Sequence, residues 1–496
     1  MADSLAADQT DAGPPTPTSA SPAARHSTHL TRRAKSLYAA GDAVDGVVSN
    51  AVGYFLLFYL NVACGLSGTL AGLVLFISLC VDAVADPAIG FWSDNARFRL
   101  GRRHPFMFVA APIVALALGL MFSIPPALTG GALFAYILVV LVTLRVSQSA
   151  YILPFVAMGA ELSDDYAERS SVVTFRYGAN IVFNCSQLVL GLWVFMYGAA
   201  RNHRESYIPY GWLCAALVLA GALVAAFGTL PLRARMHPVS SLEGEALRRV
   251  PRELKEVFSN PSFRTLFFGI LVFWVPWGAL GALSLHANSF FWKMPPQVIA
   301  TIPLFLIGGL VLGVPISAVV LRRFEKLTVC LIALAIVCGL VALPAPLRVL
   351  GLIPADGVVL YGGLAAQNFL VGVGTTSVVV SFWSMMADAA DEHEALFGTR
   401  REGLYFASIT LSAKFASAIG GWIAGRSLDL IGFPHDLATA GQHPIAQGTL
   451  NALGLIQGTG CGLAAAIAIA ILARYRLGSK KLGALQAELA ARRAAV

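Results

Sequence analysis

The sequence predicts an all-α membrane protein with about twelve transmembrane helices in two pseudo-symmetric six-helix bundles. Three observations carry this: scarce charge, a succession of apolar segments of bilayer length, and a pattern of acidic breaks that recurs in each half. Only 12% of the 496 residues are Asp, Glu, Lys or Arg, against about 25% in a typical soluble domain. Apolar residues make up 57%, and the mean hydropathy is +0.71. A single soluble domain of this composition would expose extensive apolar surface to water. Lipid as solvent removes the conflict, since twelve spans of roughly 20 residues take up roughly 240.

Residues 1–35 are rich in Ala, Ser, Thr, Pro and Asp and lack any apolar run. They read as a disordered cytoplasmic tail, not a signal peptide, which needs an apolar core near its start. Apolar segments follow near 37–62, 70–92, 106–123, 131–160, 172–197 and 210–230. Six more lie near 263–287, 298–321, 327–344, 357–386, 403–427 and 449–474. The expected organisation is a first bundle over 36–232, a cytoplasmic linker over 233–260, a second bundle over 261–475 and a cytoplasmic tail over 476–496.

Basic residues alternate between the breaks. Arg32, Arg33 and Lys35 precede segment one, and Arg97, Arg99, Arg102 and Arg103 follow segment two. Arg233, Arg235, Arg248, Arg249, Arg252 and Lys255 follow segment six, and Arg322, Arg323 and Lys326 follow segment eight. Arg400 and Arg401 follow segment ten, and Arg474, Arg476, Lys480 and Lys481 follow segment twelve. The intervening breaks carry little positive charge, with Arg201 and Arg204 the main exception. This bias places both termini in the cytoplasm; the expected location is multi-pass in a bacterial inner membrane. It also accounts for the net charge of +8 without nucleic acid as a partner. The seven cysteines, Cys64, Cys80, Cys185, Cys214, Cys330, Cys338 and Cys461, show no C-x-x-C spacing and read as small buried hydrophobes.

The break after segment four reads Glu161-Leu-Ser-Asp164-Asp165, then Glu168-Arg169. The break after segment ten reads Asp388-Ala-Ala-Asp391-Glu392, then Arg400-Arg401-Glu402. Each is the fourth connection of a six-segment half. Two such halves joined by a cytoplasmic linker make the arrangement of the major facilitator fold, with substrate bound at midplane between them.

Ionisable residues at bilayer depth are costly, and each is a functional candidate. Segment one carries Asp42, Asp45 and Ser49 on one helical face. In segment two, Asp82 and Asp86 lie one turn apart, just before Pro87. Two such carboxylates suit a shared proton or monovalent cation, because neutralising either relieves their repulsion. Segment four carries Arg145, Gln148 and Ser149 on one face. Arg145 and Gln148 supply donors for a hydroxyl- or anion-bearing solute, or Arg145 instead neutralises an Asp of segment one or two. Arg176 lies near the start of segment five, as a substrate contact or a snorkelling interface residue. Segment eleven places Thr410 and Lys414 one turn apart, and Lys414 needs a counter-charge from the acidic residues of segments one and two. Gly309/Gly313 and Gly421/Gly425 fit close helix packing, and His286, Trp274 and Trp277 read mainly as packing residues. No HExxH, GxSxG or phosphate-loop motif occurs, so an enzyme is not expected.

Asp82-Ala-Val-Ala-Asp86-Pro87-Ala-Ile-Gly90, followed by Ser93-Asp94 and Arg99-Leu-Gly101-Arg102-Arg103-His-Pro105, resembles the signature of the glycoside–pentoside–hexuronide:cation symporters. So do Gly159-Ala-Glu161-Leu and Met386-Ala-Asp388…Asp391-Glu392 with Arg401-Glu402-Gly403. The resemblance implies alternating access with cation and sugar sharing a central site. It implies cation binding at Asp82 and Asp86, and roles for Thr410, Lys414 and Arg176 matching those of the melibiose permease branch. The chain departs from that branch at Gly46, Leu79, Ile152 and Val156, where a substrate Asp, an Arg, a shared Asp and a sugar-stacking Trp are expected. Arg145 is a candidate to replace the charge missing at Leu79.

The expected function is therefore symport of a sugar, glycoside or related small polar solute, coupled to H⁺ or Na⁺. The expected cation site is Asp82, Asp86 and Ser149; the expected substrate site is Asp45, Arg145, Gln148, Arg176, Thr410 and Lys414. No cofactor is expected beyond the coupling ion, no metal beyond a Na⁺ at Asp82 and Asp86, and no obligate protein partner. The alternatives are transport of a lysolipid-like amphiphile and a non-transporting membrane sensor of the same fold.

Overall fold

The computed structural model describes residues 29–96, 98–163, 165–235, 255–399, 402–435, 437 and 444–494. Arg97, Asp164, Arg248, Arg249, Arg252, Arg400, Arg401 and most of the expected N-terminal tail and linker lie outside them.

Helix α1 begins at Arg32–Ala39, tightens into a 3₁₀ turn at Ala40–Asp42 and continues over Ala43–Asn50. It then widens into π turns at Ala51–Leu56 and Tyr59–Ala63. Its start lies inside the stretch assigned to the tail, because local polar contacts stabilise it there. Thr31 Oγ1 caps the helix, accepting from Ala34 N at 3.2 Å. Glu168 accepts from Leu30 N at 2.6 Å and pairs with Lys35 at 3.0 Å.

The chain continues through α2 (Gly68–Asn95), α3 (His104–Met121), α4 (Gly130–Glu161), α5 (Tyr166–Leu190, then a π turn at Gly191–Phe195) and α6 (Tyr207–Thr229). The second half comprises α7 (Pro261–Phe291), α8 (Pro296–Val320), α9 (Lys326–Ala342), α10 (Val358–Phe397), α11 (Glu402–Leu430) and α12 (Gln447–Leu472). Ten of these are long and apolar enough to cross a membrane. Two more complete the twelve: α1, divided among short helical pieces, and α11, diluted by Ser, Gly and charged residues. A further helix, α13 (Ser479–Ala494), fills most of the expected C-terminal tail. Its Ala-, Leu- and Glu-rich sequence favours helix, and Lys481 ties it to Glu392 at 3.0 Å.

Packing repeats with a period of six helices. In the first half α1 packs on α5 and α6, α4 on α2 and α3, and α3 on α6. In the second, α7 packs on α11 and α12, α10 on α8 and α9, and α9 on α12. The ion pairs follow the same symmetry. After α2, Arg102 and Arg103 reach Glu161 at the end of α4, at 2.5 and 2.7 Å, and Arg103 also holds Asp94 at 2.6 Å. After α8, Lys326 reaches Asp388 late in α10 at 2.6 Å. The repeated acidic breaks are thus the anchors of two equivalent clamps.

The halves meet mainly through α2 on α11, α1 on α7 and α5 on α8. The antiparallel α2–α11 crossing is glycine on glycine. A Cβ at Gly425 would lie 2.1 Å from Gly68 O, and one at Gly72 would lie 2.9 Å from Gly421 O. Small residues let the backbones touch. At the same end Asp429 of α11 caps the N-terminus of α2, accepting from Gly68 N at 2.8 Å and from Thr69 N at 2.7 Å. Phe58, His286, Phe290 and Phe433 pack together nearby, and Leu437 N donates to Val62 O at 3.1 Å. The structure is therefore closed on the face opposite the termini.

Gly425→Leu should hold that face open. Gly53 faces the central cavity, and a Cβ there meets nothing within 4 Å, so Gly53→Cys provides a reporter. It should react with an impermeant maleimide added opposite the termini several-fold faster in Gly425→Leu than with Gly425 intact. Equal rates would refute this role for the crossing.

Candidate functional site

The α2–α11 crossing fixes the register of the charged residues beyond it. Asp82 lies ten residues, ~15 Å of helix rise, past Gly72, and Lys414 approaches it from the other half. The Lys414 Nζ donates to Asp82 Oδ2 at 2.7 Å and also to Asp86 Oδ2. Asp82 is only 4% exposed, and its second oxygen accepts from Ser149 Oγ of α4 at 2.8 Å. Asp86 Oδ1 is buried without a hydrogen-bond partner. Helix α2 runs on unbroken through Pro87, which donates no backbone hydrogen bond. The ammonium thus bridges two carboxylates one turn apart.

These residues line a cavity of about 520 Å³ between the halves. Asp45, Arg145, Gln148 and Thr410 line it too, as do Leu79 and Ile152. Asp45 accepts from Gln148 Nε2 at 3.4 Å and Asn180 Nδ2 at 3.2 Å. Ser49 Oγ reaches Asp45 at 3.5 Å. Arg145 donates to Gln148 Oε1 at 3.4 Å and lies within electrostatic reach of Asp82, Asp45 and Asp86. The cavity that contains Leu79 therefore does hold a guanidinium, brought in from α4.

Arg176 does not line this cavity. Its guanidinium sits 4.9 Å from the Tyr177 ring, with Tyr38 and Asp42 as electrostatic neighbours. The reason is depth: Asn180, one turn further along α5, is the residue that reaches Asp45. Asn180 and Asn184 escaped notice in the sequence because neutral amides do not stand out as charges do. With Arg176 they recur every four residues and mark a polar stripe on an otherwise largely apolar helix. Trp277, expected mainly as packing, also lines the cavity.

Removing the ammonium would leave two partly buried carboxylates facing each other. Breaking a fully buried pair costs about 3–5 kcal/mol. The Lys414 side chain is 29% exposed to the cavity, so Lys414→Met should cost less, about 1–3 kcal/mol. Adding Asp86→Asn should recover part of the loss. Thermal unfolding of the detergent-solubilised single and double variants tests the coupling, and additive losses would exclude it.

The family described as MFS/sugar transport protein matches residues 37–479. An uncharacterized symporter of Synechocystis sp. is 26% identical over 466 residues, covering 80% of this chain and 86% of the relative. An isoprimeverose transporter of Lactiplantibacillus pentosus is 24% identical over 420 residues, covering 82% and 81%. A sodium-dependent lysophosphatidylcholine symporter of Danio rerio is 22% identical over 449 residues, covering 83% and 82%. Among solved structures, a bacterial homologue of the human lysosomal transporter Spinster superposes with a TM-score of 0.62 at 14% identity, covering 88% of this chain and 95% of that one. That likeness shows the major facilitator fold. The chain belongs to the MFS/sugar transport family and is a multi-pass membrane protein, a transporter and not an enzyme.

Proposed function

We propose that this transporter couples a monovalent cation, by preference the proton, to movement of a sugar, glycoside or related small polar solute by alternating access. The Lys414 bridge to Asp82 and Asp86 is the observation that carries the proposal. In their ordinary charged forms, Asp45, Asp82 and Asp86 exceed Arg145 and Lys414 by one negative charge, and all five line one cavity. One bound monovalent cation balances the set.

The bridge also favours the proton. A Na⁺ placed between Asp82 and Asp86 has to displace the ammonium, whereas a proton on one carboxylate only weakens its hold. Displacement breaks the link from Lys414 to the other half and protonation loosens it, and either ties ion binding to reorientation. Ser149 orients Asp82, and Asp45, Gln148, Arg145 and Thr410 offer the solute acceptors and donors. Arg176 acts at a distance, through Asp42 and Asn180 on the α1–α5 contact. The similarity to an isoprimeverose transporter supports a saccharide. The similarity to a lysophosphatidylcholine symporter supplies the competing solute to be tested. We place both termini in the cytoplasm on the distribution of basic residues, and the protein in a bacterial inner (plasma) membrane on its similarity to bacterial transporters.

Proteoliposome uptake of a saccharide panel, under a pH gradient and then a Na⁺ gradient, tests the proposal. Uptake should rise when the face opposite the termini is acidified. Asp86→Asn should abolish gradient-driven uptake while the protein still inserts. Full gradient-driven uptake by that variant overturns the cation site, and competition by single-chain lipids but not sugars overturns the solute class.

A further inference from the structure

A second cavity, of about 300 Å³, adjoins the charged one and shares Trp277 and Gly281 with it. It lies toward the face opposite the termini, bounded by the end of α7, the early turns of α8, α10 and α12, and mid-α1 and α5. No Asp, Glu, Lys, Arg or His lines it. Its polar lining is instead dominated by six side-chain amides, Asn50, Asn184, Asn288, Gln367, Asn368 and Gln457, drawn from both halves. Aromatic walls come from Tyr54, Trp277 and Trp292.

We propose that this cavity is a binding subsite for the ring of a neutral saccharide, distinct from the charged ion-coupling cavity on the other side of Trp277. A carboxamide both donates and accepts, which matches hydroxyls that need both. Three aromatic rings supply the apolar faces that a pyranose ring covers. The volume falls at the low end of small-molecule pockets, roughly 300–1,000 Å³.

Part of the amide capacity is already used. Asn50 Nδ2 donates to Asn184 Oδ1 at 2.8 Å, Gln367 Nε2 to Leu340 O at 2.9 Å, and Asn368 Nδ2 to Leu364 O at 2.9 Å. Some of the remaining capacity is unpaired. Gln367 Oε1 is buried without a partner, and Gln457 makes no side-chain hydrogen bond to any described residue. A buried acceptor is costly to leave unmade. An ionised solute would be desolvated here with no charged residue in the lining to offset the penalty. The site therefore selects neutral saccharides over uronates and over zwitterionic lipid headgroups.

This inference rests on the symport proposal, and uptake in proteoliposomes separates the two. The probes are methyl β-D-glucopyranoside, isoprimeverose and D-glucuronate. Gln457→Leu leaves no protein group unpaired, and it should raise KM for the neutral saccharides at least fivefold while gradient coupling persists. Gln457→Glu, of the same shape but charged, should weaken the neutral saccharides as well and abolish any residual glucuronate uptake. It carries the test if the first variant does not fold. Saccharide uptake with unchanged KM in both variants overturns the subsite and leaves the symport proposal standing. Uptake of glucuronate as efficiently as the neutral sugars overturns the selection for neutral solutes. No saccharide uptake at all overturns both.

Discussion

The bridge from Lys414 to Asp82 and Asp86 is the constraint on which the rest of the arrangement depends. It joins the two halves at mid-depth, where an unpaired charge is least tolerable. It is conditional, since protonation of either carboxylate would remove half of the negative charge that holds the ammonium. Its geometry is set from a distance. The glycines of α2 and α11 bring the two backbones into contact, and helical rise then delivers Asp82, Asp86 and Lys414 to the same level. Larger side chains at that crossing would separate groups that they never touch.

Within each half the contacts are of another kind. Arg102 and Arg103 on Glu161, and Lys326 on Asp388, clamp helices of the same bundle and occupy equivalent positions in the two. Such clamps keep a bundle rigid while the other rocks against it. The contacts between halves are sparser; among the described residues they include the ion bridge, the glycine crossing, the Asp429 cap and an aromatic cluster opposite the termini. That division suits a machine of two stiff bodies hinged at a common site.

The twelve spans were legible because apolar length and loop charge are properties of sequence alone. The carboxylate pair and Lys414 were legible because ionisable residues are rare in these helices, and the need of Lys414 for a partner in the other half followed from charge balance. The place of Arg176 away from the cavity lining was not legible, since a motif match says nothing about how far along a helix the cavity wall extends. The amide cavity was hidden for a different reason. Its six amides come from five helices in both halves, and Asn and Gln are ordinary enough in membrane helices that only their convergence is informative. Asn180 sits between these cases, announced by a stripe of spacing four but assignable to Asp45 only once α1 and α5 are docked.

The Asp429 cap has a kinetic consequence. Its ligands are the first amide hydrogens of α2, groups that bulk water satisfies readily when a helix end is uncovered. Hydrogen bonds to a charged group contribute about 1.5–3 kcal/mol each, and much of that returns as hydration on opening. The closed face is thus held by a latch whose replacement partner is the very solvent that enters when it opens. Such a latch biases the resting population without building a high barrier, so turnover need not be limited by breaking it. The cap helps to decide where the empty carrier waits, and in the proposed mechanism the mid-depth bridge decides when it leaves.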